Sequence, residues 1–156
     1  MNALERALVK ATQAGLPLVP RPYEVLSKDL GINEAQLISL LQKMLADGRI
    51  RRIGAVPNHY ALGYTANAMS VWDVADEAVD ELGHAVGALP FVTHCYRRVR
   101  RLPDWPYNLF AMVHGRSRAE TAAKIEVIRG TLDRFLRAAD VLYSMRVLKK
   151  TGVRIA

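Results

Sequence analysis

Between Thr93 and His114 the chain reads Thr93-His94-Cys95-Tyr96-Arg97-Arg98-Val99-Arg100-Arg101-Leu102-Pro103-Asp104-Trp105-Pro106-Tyr107-Asn108-Leu109-Phe110-Ala111-Met112-Val113-His114. Two histidines, four arginines, two tyrosines and a tryptophan share this stretch. Imidazoles change charge near neutrality, so they can move protons or ligate a metal. Guanidinium forks grip carboxylates and phosphates. A tryptophan held between Pro103 and Pro106 makes a stiff apolar tip suited to covering a flat ligand. A folding core does not call for this mixture.

The elements that would position these groups follow from periodicity. From Tyr64 onward the pattern predicts a strand over about 65–73, a helix over 76–88, strands over 91–100 and 107–114, a helix over 117–137 and a strand over 141–149. That βαββαβ order is a ferredoxin-like sandwich, with both helices on one sheet face and the other face open. Alternation puts Phe91, Cys95 and Val99, with Leu109, Ala111 and Val113, toward the helices. His94, Tyr96, Arg98 and Arg100 then share the open face with Asn108, Phe110, Met112 and His114. A register centred on Asp104 places His94 directly opposite His114, although a bulge would undo it. Arg97 falls on the apolar set, a sign that alternation fails near the loop. The same groups would also serve as hydrogen-bonded interface histidines and as edge charges that discourage strand aggregation. His59 is either a linker histidine bonded to backbone or a site residue. His84, beside Asp80 and Glu81, is expected in solvent, and Cys95 is expected as a small core residue without a nucleophilic role.

The first third reads as three short helices, with Leu4, Leu8 and Ala11 at helical spacing, a second helix opened by Pro22, and a third over 33–46. Gly31 suits a left-handed closing position, and Asn33 with Gln36 suits a capping box. Leu37, Leu40, Leu41, Met44 and Leu45 form the third helix's apolar face. Residues 49–60 are expected as a wing-like hairpin. The expectation is an α+β chain, with a winged helix-turn-helix over 1–62 and a ferredoxin-like domain over 63–156 that carries the site. This is the layout of the leucine-responsive (Lrp/AsnC) transcription regulators, yet the third helix offers Lys43 as its cation and carries Glu34 near its start. Phosphate contact and base reading call for more Arg, Lys, Asn or Gln. DNA is disfavoured as a partner, although Arg49, Arg51 and Arg52 could still grip a backbone.

The whole chain has 156 residues, 51% hydrophobic and 24% charged, with a formal charge of +7. Such a chain has room for one or two cores. Its apolar runs fall short of the roughly 20 residues of a membrane span, and no export signal opens it. A cytoplasmic location is expected, and the single cysteine agrees with a reducing compartment. The positive excess, which begins after Asp47, points to an anionic partner.

Three stretches carry a resemblance: Gly48-Arg49-Ile50-Arg51-Arg52-Ile53-Gly54-Ala55-Val56-Pro57-Asn58-His59-Tyr60, His94-Cys95-Tyr96-Arg97, and Trp105-Pro106-Tyr107-Asn108-Leu109-Phe110-Ala111-Met112-Val113-His114-Gly115. They resemble the siroheme decarboxylases, and the likeness runs through Leu148-Lys149-Lys150-Thr151-Gly152. The resemblance implies a carboxy-lyase that removes carbon dioxide from the C12 and C18 acetates of siroheme, giving 12,18-didecarboxysiroheme for heme d1 synthesis or for the alternative heme route. It is closest to the heme d1 branch. It also implies a homodimer or a heteromer of paralogous subunits, and no cofactor, because the iron belongs to the substrate.

The chemistry fits the residues, since a flat polycarboxylate macrocycle needs several cations around an apolar slot. Arg51, Arg52, Arg97, Arg98, Arg100 and Arg101 are candidates, with His59, Tyr96, Trp105 and Tyr107 lining the site. Protonation after loss of carbon dioxide needs a positioned acid, which suits His94 or His114. A histidine can also ligate the macrocycle iron, and the sequence leaves the division between these two open. A heme- or siroheme-responsive DNA-binding regulator and a tetrapyrrole carrier are the other readings.

Overall fold

The computed structural model describes residues 1–149, 154 and 155. Two compact units emerge, Met1–Val56 joined by the described residues after Leu148, and Pro57–Leu148. The division lies a little before Gly63, the boundary suggested by sequence. Lys150, Thr151 and Gly152, part of the resemblance, lie outside the described residues.

The first unit holds α1 (Ala3–Thr12), α2 (Pro22–Asp29) and α3 (Glu34–Ala46). Helices this short need caps, because their first N–H groups lack intrahelical partners. Asn2 and Glu5 exchange side-chain and backbone hydrogen bonds at 2.8 Å, and Asn33 and Gln36 do the same at 2.8 and 3.0 Å. The second of these is the expected capping box. Gly31 takes φ +66°, the left-handed turn that leads out of α2. Leu8, Leu26, Leu37, Leu41 and Met44 bury together, whereas Leu45 lies at the surface.

The expected wing is absent. Residues 51–58 form neither strand nor helix. Arg49 folds back to pair with buried Glu5 at 2.5 Å and with Asp47, and Pro57 lacks the N–H a ladder needs. Asp47, then Glu5, raise the Arg49 pKa above its ordinary value. Arg49 is therefore a strut of this unit and no longer a candidate grip for phosphate.

The second unit contains β1 (Ala66–Val74), α4 (Val79–Gly87), β2 (Val92–Arg97), β3 (Leu109–Gly115), α5 (Arg118–Leu132) and β4 (Leu136–Tyr143). Its strands form an antiparallel sheet in the order β2-β3-β1-β4, the ferredoxin-like arrangement. The helices cover one face, where Ala68, Trp72, Val74, Leu109, Ala111 and Val113 bury against Val79, Val86, Ile125, Ile128 and Leu132. Trp72 Nε1 donates to Ser70 Oγ at 3.0 Å, and that hydroxyl donates to the Ala111 carbonyl at 2.9 Å, so these two buried side chains are satisfied.

The last two elements differ from expectation. α5 ends at Leu132 and not at 137, because Asp133 takes φ +41° and a short 3₁₀ turn follows. β4 accordingly runs over Leu136–Tyr143 and not 141–149. Leu136, Ala139, Val141 and Tyr143 pack toward the core, an alternation masked in the sequence by helix-favouring alanines.

Candidate active site

The uncovered sheet face is assembled by cross-strand pairing. Tyr96 on β2 lies opposite Phe110 on β3, which lies opposite Val71 on β1; His94, Met112 and Met69 form the next row, and His114 pairs with Asn67. Residues paired in this way point to the same side of a sheet. Beyond Met69 and Val71, β4 contributes Leu142 and Asp140.

The expected pairing of His94 with His114 does not occur. Val92 pairs with Val113 and His94 with Met112, so Thr93 is an extra residue in β2. A bulge of this kind breaks alternation and re-aims side chains. Thr93 and His94 both reach the open side as a result. Thr93 Oγ1 lies 3.0 Å from His114 Nε2 and 3.1 Å from His94 Nδ1. On its other side His114 Nδ1 is 2.5 Å from Asn67 Oδ1. The two histidines are joined through a hydroxyl instead of facing one another.

His59 joins them. A turn in which Tyr64 N–H donates to the His59 carbonyl at 2.9 Å returns the chain into β1 and brings the His59 ring 5.3 Å from that of His114, with Tyr60 4.4 Å from His59. The His94 and Tyr96 rings are 6.1 Å apart at 27°. Asn67 is only 2% exposed, and among the described residues its Nδ2 has no hydrogen-bond partner.

The arginines divide sharply. Arg98 places its guanidinium 5.6 Å from the Tyr96 ring and 5.5 Å from Phe110, a cation–π position on the open face. Trp105 stacks on Phe110 at 6.4 Å and meets Tyr107 edge-on at 5.0 Å. Backbone bonds of 2.8 Å in both directions between Arg101 and Trp105 close the loop, and Arg98, Val99, Arg101, Trp105 and Phe110 line a slot there. Val99, expected toward the helices, is 89% exposed, because β2 has already ended at Arg97.

Arg97 and Arg100 are held elsewhere. Arg97 Nη1 pairs with Asp80 Oδ2 at 2.7 Å, on the helix side of β2, so alternation survives at this residue. Arg100 is half-buried and pairs with Asp73 at 2.6 Å and with Asp76, and it also donates to the Pro106 and Val74 carbonyls at 2.8 and 2.6 Å. Asp73 is the largest cause of its raised pKa. Arg51 and Arg52 belong to the first unit and are exposed. His84 is in solvent as expected, with Nδ1 2.7 Å from the Asp80 carbonyl. Burial raises the Cys95 thiol above its usual value, which leaves it protonated and inert, as expected of a core residue.

Sequence reasoning missed Thr93 and Asn67. Asn67 left a trace, since an asparagine in the middle of Ala66-Asn67-Ala68-Met69-Ser70-Val71-Trp72 is out of place in a buried strand. Thr93 left none, being an ordinary strand residue whose role comes from the bulge.

Comparison with known proteins matches residues 5–51 to the siroheme decarboxylase NirDL-like HTH domain and residues 61–149 to the AsnC-like ligand binding domain. The siroheme decarboxylase NirH subunit of Pseudomonas aeruginosa is 55% identical over 98% of this chain and 90% of its own. The crystal structure of the siroheme decarboxylase NirDL in co-complex with an iron-uroporphyrin III analogue superposes with a TM-score of 0.66 at 35% identity, over 98% of this chain and 47% of that one. An AsnC family transcriptional regulator from Agrobacterium tumefaciens reaches a TM-score of 0.78 at 20% identity, over 99% of this chain and 97% of that one, and shares the fold.

Proposed function

The chain belongs to the siroheme decarboxylase family, and from that premise we propose that it is a siroheme decarboxylase subunit whose reaction is carried on the open sheet face of Pro57–Leu148. As a carboxy-lyase it removes carbon dioxide from the C12 and C18 acetates. The observation that supports this reading is the cluster of His59, Thr93, His94 and His114 beside an arginine-and-aromatic slot. A flat polycarboxylate finds its ring contacts on Trp105, Phe110 and Tyr96, and a carboxylate partner in Arg98.

Breaking the bond to the leaving carboxylate puts an electron pair on the side-chain carbon and the conjugated ring, and a proton must arrive there. We assign that proton to His94. Its Nδ1 is turned to Thr93 at 3.1 Å, which leaves Nε2 for the substrate. His114 has Nδ1 on Asn67 and Nε2 on Thr93, which suits a supporting place behind His94. The macrocycle supplies its own iron, and the reading asks for no further cofactor. Related proteins are named as subunits of one enzyme, so a homodimer or a pairing with a paralogue completes the reading, at a cytoplasmic location. No helix among the described residues is long and apolar enough to cross a membrane.

Anaerobic incubation with siroheme, alone and with a paralogous subunit, followed by mass analysis, tests this. Two successive losses of the mass of carbon dioxide are expected. Binding without loss favours a carrier, and binding joined to salt-dependent, sequence-selective DNA affinity favours a regulator.

A further inference from the structure

We propose that Thr93 is a positioning residue that couples His94 to His114, so that the proton given to the substrate by His94 is replaced from His114 through the Thr93 hydroxyl. This rests on the decarboxylase reading for its chemistry and on the bulge for its geometry. Without the extra residue, Thr93 and His94 would point to opposite faces of β2 and could not share the open side. With it, one oxygen lies 3.0 Å from His114 Nε2 and 3.1 Å from His94 Nδ1, both within hydrogen-bond range. The other acceptor near that hydroxyl, the Met112 carbonyl, is 3.4 Å away and a weaker partner.

The step balances with no outside reagent. In the loaded state His114 is an imidazolium, its Nδ1–H donated to Asn67 Oδ1 and its Nε2–H to Thr93 Oγ1. The Thr93 hydroxyl donates to His94 Nδ1, and His94 carries its proton on Nε2. The carbon–carbon bond to the carboxylate breaks, carbon dioxide leaves, and the electron pair remaining with the substrate forms a carbon–hydrogen bond with the Nε2 proton. As that proton departs, His94 Nδ1 takes the hydroxyl proton and Thr93 Oγ1 takes the Nε2 proton of His114. His94 is neutral before and after, with its tautomer exchanged, and His114 ends neutral, one proton poorer. Solvent then returns a proton to His94 Nε2, and the Nδ1 proton passes back through the Thr93 hydroxyl to His114 Nε2, which restores the starting state before the second acetate reacts.

Asn67 belongs to this device. An amide oxygen 2.5 Å from Nδ1 favours a proton on that nitrogen, and burial at 2% exposure keeps water from competing for it.

Thr93→Val keeps shape and strand preference and removes the hydroxyl; Thr93→Ser keeps the hydroxyl. The expected result is a fall in kcat of about 10- to 100-fold for Thr93→Val with KM for siroheme within about twofold, and near-normal kcat for Thr93→Ser. If Thr93→Val distorts the bulge, Thr93→Ala carries the same expectation. Nitrogen NMR of the ligand-free chain gives an independent readout: the tautomer pattern of His94 and His114 changes in Thr93→Val and returns in Thr93→Ser. Unchanged kcat in Thr93→Val, equal losses in Val and Ser, or an unchanged tautomer pattern each overturns the coupling. Wild-type chain that releases no carbon dioxide with its paralogue present overturns the decarboxylase reading instead, and the NMR arm still decides whether Thr93 links the two histidines.

Discussion

The two ends of β2 take opposite routes to fixing a polar side chain. At its start, Thr93 and His94 are held by neutral groups, a hydroxyl and, through His114, an amide. At its other end Arg97 is held by Asp80, and beyond it Arg100 is held by two carboxylates and two carbonyls. A neutral partner orients an imidazole while leaving both protonation states within reach; a carboxylate partner commits a cation to one state and one place. Thr93, His94, Arg97 and Arg100, all from one segment, thus divide into two residues held by neutral groups and two held by carboxylates, of which Arg100 braces the loop carrying Trp105.

The comparison breaks first at the histidines. His94→Ala is expected to cost about 10²- to 10⁴-fold in kcat, the usual contribution of a positioned acid, with a smaller change in KM. His114→Ala is expected to cost less, because in the proposed mechanism His94 meets the substrate and can still be protonated from solvent. Single-turnover siroheme consumption, followed anaerobically, ranks the two variants. A larger loss at His114 would reverse their assigned places.

How far this was legible in sequence depends on the kind of interaction. The ferredoxin-like order, the Asn33 capping box and the helix-facing set of Cys95, Leu109, Ala111 and Val113 all follow from local pattern, because periodicity and capping are written in neighbouring residues. The open face and its histidines were legible for the same reason. The bulge at Thr93 was not, since an inserted residue matters only against a partner strand. Nor was the separation of Arg98 from Arg97 and Arg100, which depends on Asp73, Asp76 and Asp80 arriving from β1, the segment after it and α4. The wing failed at Arg49 because its acidic partner, Glu5, is remote in sequence.

The bracing end is tested by stability. Arg100→Ala leaves Asp73, itself only 14% exposed in its side chain, without its cation, and stability is expected to fall by about 3 kcal/mol. Arg97→Ala removes an exposed pair and should change stability by less than about 1 kcal/mol. Denaturant midpoints at neutral pH compare the two. Equal effects would mean that Arg100 braces nothing that Arg97 does not.

The smallest expected effect lies in the pH dependence of the same brace. Arg100, first through its side-chain hydrogen bond, holds the Asp76 carboxyl below the usual carboxylate range. A carboxyl with a lowered folded-state pKa binds its proton first in the unfolded chain. Its stabilising contribution is therefore complete above the ordinary carboxylate range and is lost as pH falls through that range to the lower folded value. Removing Arg100 removes the largest cause, while Asn108 and Arg137 still act on Asp76, so the Arg100→Ala variant should show a shallower loss of stability on acidification than the wild type. Thermal midpoints taken from neutral pH down into the carboxylate range make the comparison. Parallel curves would show that the loop arginine fixes position without setting the charge state of its partner, and the contrast with the neutral-bonded histidines would then rest on geometry alone.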